Sequence, residues 1–347
     1  MKISIRLLVV MTAMMLIMAA CSKSKEEEQP NPEETGKESD LPEEVQQYKA
    51  PFTGMTVNEE KKMRPVLVTI NNHPDARPQS GLSDADMIYE LMTEGNTTRY
   101  LALFQSELPD EIGPVRSARD MFIHLAQGLD AFYVAHGYSP DALALLKSGD
   151  VDHVNGMQHD GTLFKRSTDR KAPHNSYISG ENIRIAVEQV NAPMMIDKMP
   201  SLSFHESIES AKIEQSASTI TVQNGSHPVF TSTYTYDEQT GSYEQSVNNV
   251  QTIDQANGEP IELANILVFE AAHQTIDAEG RQAIDLESGG KARLFQAGGV
   301  KEIEWTNVDG MLVPVENGVT VKLVPGKTWI HIVKTDPGIE ANVSYTP

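Results

Sequence analysis

The sequence predicts a two-domain α+β protein. A layered α/β domain with a mixed sheet is expected over residues 51–190, and a mostly antiparallel β domain, a sandwich or half-barrel, over residues 216–347. Three observations predict it. Apolar runs of strand length alternate with helix-period segments in the first half, the pattern of layered α/β folds. In the second half helical periodicity disappears, and short β-rich segments are separated by turn dipeptides. Residues 191–215 follow neither pattern and read as a connector.

The chain opens with Lys2 and Arg6 ahead of an apolar run over 7–20 that ends Met18-Ala-Ala-Cys21. The run is short of the roughly 20 apolar residues a spanning helix needs. Basic start, apolar middle and small residues at the cut describe a secretory signal, and the cysteine directly after them is the position lipidation requires. Residues 1–20 are therefore expected to be a lipoprotein signal peptide. Cys21, the only cysteine, is the expected lipidated residue, anchoring the protein on the extracytoplasmic face of the cytoplasmic membrane. No second thiol exists for an internal disulfide, so the fold must rest on its core. The rest of 21–50 is acidic, carries Pro30 and Pro32 early, and lacks apolar periodicity, as expected of a disordered tether.

Acidic residues outnumber basic ones 49 to 28, giving a formal charge of −21. Loss of Lys2 and Arg6 with the signal takes this to −23 (−21 − 2). Phosphate backbones repel such a chain, which argues against nucleic-acid partners.

Residues 64–71 form a nearly continuous apolar run, expected of a strand covered on both faces. Strands follow over 87–93 and 99–105 around the turn Glu94-Gly-Asn-Thr97. Val115, Ala118, Met121, Phe122, Leu125, Ala126 and Leu129 then share one face at helical spacing. A strand is expected over 131–135, a short helix opened by Ser139 through Leu146, a strand over 151–154 and a helix opened by Ser179 ending near Val190. In the second half, strands are expected over 219–223, 231–236, 242–247, 266–270, 293–296, 319–323 and 328–333. Turns at Asn257-Gly258, Glu279-Gly280, Asp309-Gly310 and Asn317-Gly318 punctuate this half. Trp305 and Trp329 fall in β segments and are expected in the core.

The stretch Ile112-Gly-Pro-Val-Arg-Ser-Ala-Arg-Asp120 stands out. Ser117 and Asp120 have the spacing of a helix N-cap and its N3 partner. Arg116 and Arg119 would then sit at a helix end that already carries partial positive charge, a place that attracts an anion. Either a ligand supplies that anion, or the protein does through Glu90 or Glu94. Further polar residues follow strands, where ligands of open α/β sheets bind: Asn71-Asn72-His73, His136-Gly137 and Asn155-Gly156. The loop 164–177 is long, basic and polar, and contains His174 and Asn175. Arg116, Arg119, Asn72 and Asn175 are the candidate anion-binding residues, and Glu94, His136 and His174 the candidates for acid–base work. Taken singly, each histidine fits a structural, hydrogen-bonded role better than a catalytic one.

Familiar catalytic signatures are absent: the sequence has no H-E-x-x-H, no G-x-S-x-G and no P-loop. Ser288-Gly-Gly-Lys291 matches S-x-x-K, but two glycines oppose the helix start that motif needs. Histidine spacing supports no metal motif, so neither metal nor cofactor is expected.

Several strings together resemble the YerB-like lipoprotein family of Gram-positive bacteria. They are Arg64-Pro-Val, Asn71-Asn72, Ala76-Arg-Pro-Gln-Ser-Gly-Leu82, Ala85-Asp86, Tyr89-Glu90, Ile112 through Arg119, Ala172-Pro-His-Asn175 and Leu323-Val-Pro-Gly-Lys-Thr-Trp329. The resemblance implies a surface lipoprotein with an N-terminal domain of unknown function and a β-rich C-terminal one; it brings no activity with it. The resulting expectation is an envelope lipoprotein whose α/β domain binds an anionic component, peptidoglycan or a teichoic-type polymer. A hydrolase or lyase using the His and Glu residues of the same cleft, and a docking module for a cell-wall synthesis protein, are the alternatives.

Overall fold

Alternation inside the strands sets the architecture. In β1 (Val66–Asn71) every residue is buried. Val66, Val68 and Ile70 enter one apolar cluster and Leu67 enters another. A period-two split between two cores requires cover on both faces of the sheet. The neighbouring β2 (Met87–Glu94) and β3 (Thr97–Phe104) divide in the same way. Ile88, Tyr100, Ala102 and Phe104 go to the first cluster, and Met87, Tyr89, Leu91, Leu101 and Leu103 to the second.

The computed structural model describes residues 46–211, 213–225 and 227–347. The signal segment, Cys21 and nearly all of the acidic tether lie outside them. Tyr48–Lys49 already pairs with Thr56–Val57, and Ala50 is buried, so the folded body begins inside the stretch assigned to the tether.

The first half continues with α1 (Asp120–Gly128), β4 (Phe132–Ala135), α2 (Pro140–Ser148), β5 (His153–Asn155), the hairpin β6 (Phe164–Arg166) and β7 (Ser176–Ile178), and α3 (Gly180–Gln189). Ser139 and Ser179 cap α2 and α3, accepting from the backbone N–H groups of Ala142 and Asn182. The second half supplies β8 (Thr219–Gln223), β9 (Thr231–Asp237), β10 (Ser242–Val247), β11 (Asn265–Ala271), β12 (Gly290–Gln296), β13 (Gly299–Val308), β14 (Met311–Glu316), β15 (Thr328–Lys334) and β16 (Val343–Thr346).

An 11-stranded mixed sheet runs Val319–Thr320, β14, β13, β12, β11, β15, β2, β3, β1, β4, β5. Strand β15 pairs in parallel with β2, placing Trp329 opposite Ile88 and His331 opposite Glu90. The second half therefore does not close as a separate sandwich or half-barrel. Five of its longer strands extend the sheet begun by the first half, and β8, β9, β10 and β16 form a separate antiparallel sheet. The reason lies in β11 and β15, almost wholly buried runs of the kind that sit centrally in a sheet. Residues of the smaller sheet (Ile220, Val222, Tyr234, Tyr243) pack with Tyr100 and Trp329 on one face of the large one. Met121, Phe122, Leu125, Ala142 and Leu146 of α1 and α2 cover the other. Both tryptophans are in the core.

Strands β1, β2, β4, β5, β11 and β15 all point the same way. Asn71, Glu94, Ala135 and Asn155 end four of them, so this one edge carries several of the candidate residues.

Candidate functional site

The stretch before α1 departs from the sequence expectation. Val115 bridges to Ile70 and Ala118 to Tyr138, in extended conformation. Arg116 donates its backbone N–H to Thr69 and accepts from that of His136. Ladder-type bonds thus hold 115–118 between β1 and the end of β4, and helix can begin only at Asp120. The N-cap is Arg119, with no side-chain capping bond. Ser117 does not cap; its hydroxyl donates to the His136 carbonyl. The apolar spacing that suggested one helix from Val115 is shared between a strand-like segment and a helix.

This arrangement delivers Arg116 and Arg119 to the end of β2, where Glu94 stands. Glu94 Oε1 accepts from Arg99 Nη2 and Arg119 Nη2, each at 2.5 Å. The other arms of these guanidiniums donate to the carbonyls of Ser117 and Ala118, both at 2.7 Å. Arg99 is 2% and Arg119 7% exposed. Arg116 is the third guanidinium, electrostatically coupled to Glu94, Arg119 and Arg166; its Nε is buried with no hydrogen-bond partner. The Nε of Arg119 is also unpartnered. Two guanidiniums therefore contact one carboxylate, and a third, Arg116, lies within its electrostatic reach without bonding to it. Burial raises the pKa of Glu94, but Arg99 and Arg119 outweigh it and hold the group below its usual value, an ionised acceptor. Burial first, and then Arg119, pull Arg99 down to about 9. Arg99 escaped sequence reading because it opens the expected strand 99–105, a position where a charged residue ordinarily marks a solvated strand end.

His136 follows β4. Arg166 Nη2 can only donate, so the His136 Nε2 at 3.0 Å accepts and the ring proton sits on Nδ1, facing Ser176 Oγ at 2.7 Å. Burial, then the Arg166 charge, lower its pKa and keep the ring neutral. Arg166 also grips Asp160 and donates to Asn175 Oδ1. Asn175 Nδ2 donates to the Ser167 carbonyl, so this side chain ties the loop to β6. Both ring nitrogens of His136 are engaged within the protein, and Ser176 is buried.

His174 reaches the end of β1 across 103 residues of sequence from Asn71. Asn71 Oδ1 accepts the His73 N–H, which turns its amide nitrogen to His174 Nδ1 at 2.8 Å. The two imidazoles stack with centroids 4.5 Å apart. Burial, then His73 and Arg116, depress the pKa of His174. Among the described residues, His73, Asp75 and His174 are the group whose ligand atoms lie within 4.8 Å of one another, close enough to consider a metal ion.

Asn72 does not join this edge. Its amide donates to Glu90 Oε1 and Thr98 Oγ1 inside a fully buried network that includes His331. Glu90 belongs there as well and pairs with neither Arg116 nor Arg119. Arg116 also acts on both His136 and His174, behind burial in each case and behind Arg166 and His73 respectively. A cavity of about 1030 Å³ lined by Asp84, Asp86, Glu206, Glu262 and Lys327, among others, contains none of the candidate residues.

Comparison with known proteins places this geometry. The N-terminal domain of a family described as proteins of unknown function, DUF3048, matches residues 52–192, and its C-terminal domain matches residues 219–330. The chain belongs to the DUF3048 family. It is 45% identical over 295 residues to YerB of Bacillus subtilis (strain 168), named as a candidate lipoprotein, covering 84% of this chain and 88% of that one. The crystal structure of YerB from Bacillus subtilis superposes with a TM-score of 0.79 at 44% identity, covering 86% of this chain and 100% of that one. The resemblance to YerB-like proteins read from the sequence is thereby shown. The two DUF3048 domains are the halves that β2 and β15 join in one sheet.

Proposed function

We propose that this DUF3048 protein is an envelope lipoprotein, lipidated at Cys21 on the extracytoplasmic face of the cell membrane. Its Arg99–Arg116–Arg119 edge binds an anionic group of an envelope component, a peptidoglycan carboxylate or a teichoic-type phosphate. One observation carries the reading: at the carboxyl end of its parallel strands, a chain of formal charge −21 pairs two guanidiniums with one carboxylate and sets a third, Arg116, within electrostatic reach but bonded to none of them. Backbone and Glu94 contacts fix Arg99 and Arg119, while Arg116 keeps donor capacity, and guanidinium forks suit carboxylate and phosphate acceptors. An acid–base role for this edge is less well supported, because Glu94 is held ionised by two arginines and His136 is bonded through both nitrogens.

Arg116→Ala is expected to leave the melting temperature of the protein unchanged or slightly raised, since it removes a like charge beside Arg119. Co-sedimentation with purified peptidoglycan and with wall polymer is expected to fall at least tenfold, and wild-type binding to weaken with salt. Equal retention of both polymers by wild type and variant would remove the support for this reading. The address has its own test. Cys21→Ser is expected to move the protein from the membrane fraction to the medium, or to leave an unprocessed precursor. Normal processing with unchanged membrane retention overturns lipidation.

A further inference from the structure

We infer that His73, Asp75 and His174 form a binding site for a divalent transition-metal ion of the zinc type, beside the arginine edge. Two imidazoles and one carboxylate are a ligand set that zinc and related ions take with one or more positions left open.

Each ligand atom is presented by a different constraint. His73 is the N-cap of the helical turn Pro74–Ala76, with its Nδ1 accepting the Asp75 N–H at 3.2 Å. Asp75 Oδ2 lies 3.7 Å from that same nitrogen. Two ligands at about 2.1 Å from one ion, in tetrahedral arrangement, stand roughly 3.4 Å apart. The His73–Asp75 pair is therefore close to chelating geometry as it stands. His174 is held near by the Asn71 amide and stacks on His73. To bind one ion the two rings must tilt out of the stack and His174 must leave the Asn71 amide, so that both in-plane lone pairs converge. The His174 ligand atom must close from within 4.8 Å. Asp75, with a side chain 74% exposed, is free to rotate toward it.

Both Nδ1 atoms accept hydrogen bonds, so both carry lone pairs rather than protons. Binding exchanges two bonds from neutral donors for two dative bonds, with the imidazole protons remaining on the Nε2 atoms. The Asp75 carboxylate offsets one of the two positive charges of the ion. Arg116 and Arg170 both act on His174 and oppose a bare cation there. An anion in the open position would relieve that opposition, so the ion and a neighbouring guanidinium are suited to share one acidic group.

The site stands apart from the polymer-binding reading, and its test uses metal alone. The full mature chain is titrated with zinc chloride by calorimetry, and with cobalt(II) by visible absorption. One equivalent is expected, with cobalt d–d bands of a nitrogen- and oxygen-ligated ion. His73→Ala, His174→Ala and Asp75→Asn should each weaken zinc at least tenfold, without loss of the folded-state circular dichroism. Asp75→Asn, at an exposed position, keeps the test valid if a histidine variant folds poorly. Absence of zinc binding at millimolar metal overturns the site. So does unchanged affinity in Asp75→Asn together with His73→Ala/His174→Ala, since the ion would then be held elsewhere on the chain.

Discussion

Glu94→Ala is expected to destabilise the protein by about 3–5 kcal/mol, the loss typical when one partner is removed from a buried ion pair. Glu94 is the carboxylate that both Arg99 and Arg119 contact, and their side chains are 3% and 9% exposed. Without it, Arg99 keeps only the Ser117 carbonyl and remains beside Arg119, so two buried like charges are left to repel one another. The arginine substitutions should behave differently. Arg119→Ala leaves Glu94 and Arg99 as a balanced pair and relieves a repulsion, so its loss should be well below that of Glu94→Ala. Arg116→Ala removes a guanidinium outside the pair and should be nearest to neutral. Urea melts of the three variants check this order. A Glu94→Ala loss below about 1 kcal/mol, as for a solvated surface pair, would show that water reaches the cluster and that its charges are screened.

Much of this geometry could be read locally, and the rest depends on contacts distant in sequence. The buried run of β1, the serine caps of α2 and α3 and the β9–β10 hairpin each announce themselves within a few residues. Arg116 and Arg119 were legible because cations before a helix run against its dipole. What made that position tolerable, Glu94 shared with Arg99, was not. Arg99 sits near the start of Thr97–Phe104, ahead of its apolar run, and nothing local shows that this charge is buried with the rest of the strand. The approach of His174 to Asn71 spans 103 residues and follows from the sheet order. The same applies to β15 beside β2: apolar runs show that both strands are buried, but not that they are partners. Strands β14 and β16 also went unread, and of β13 only the β character around Trp305 was legible. Lys301, Glu302 and Glu304 dilute the alternation of β13, although Ile303 and Trp305 between them are buried.

Glu90→Gln is expected to stabilise the protein increasingly as pH rises, from almost nothing at pH 4.5 to about 3 kcal/mol at pH 8. Glu90 is 1% exposed and His331 0%, with His331 Nδ1 standing 3.4 Å from Glu90 Oε2. Burial, opposed by Thr98 and Arg77, pushes Glu90 from 4.5 up to about 7, and burial pushes His331 from 6.5 down to about 3. Unfolded, the two groups together hold one proton between pH 4.5 and 6.5; folded, they hold one between about 3 and about 7. Proton counts match across the middle window, so the pair adds no pH slope there, whichever partner carries the proton. A raised carboxyl pKa alone removes stability as pH climbs from 4.5 to about 7, and a depressed histidine pKa alone adds it from about 3 to 6.5. Glutamine keeps the acceptor used by Asn72 and Thr98 but cannot ionise. The compensation is then lost, and stability of the variant should rise by about 1.4 kcal/mol per pH unit between 4.5 and 6.5 relative to wild type. Titrating groups elsewhere cancel in that difference. Urea melts of both proteins at pH 4.5, 5.5, 6.5 and 8 measure it. A difference that stays constant across the series would mean that Glu90 is ionised in the core throughout, balanced by Arg77 and the Asn72 and Thr98 donors instead of by a retained proton.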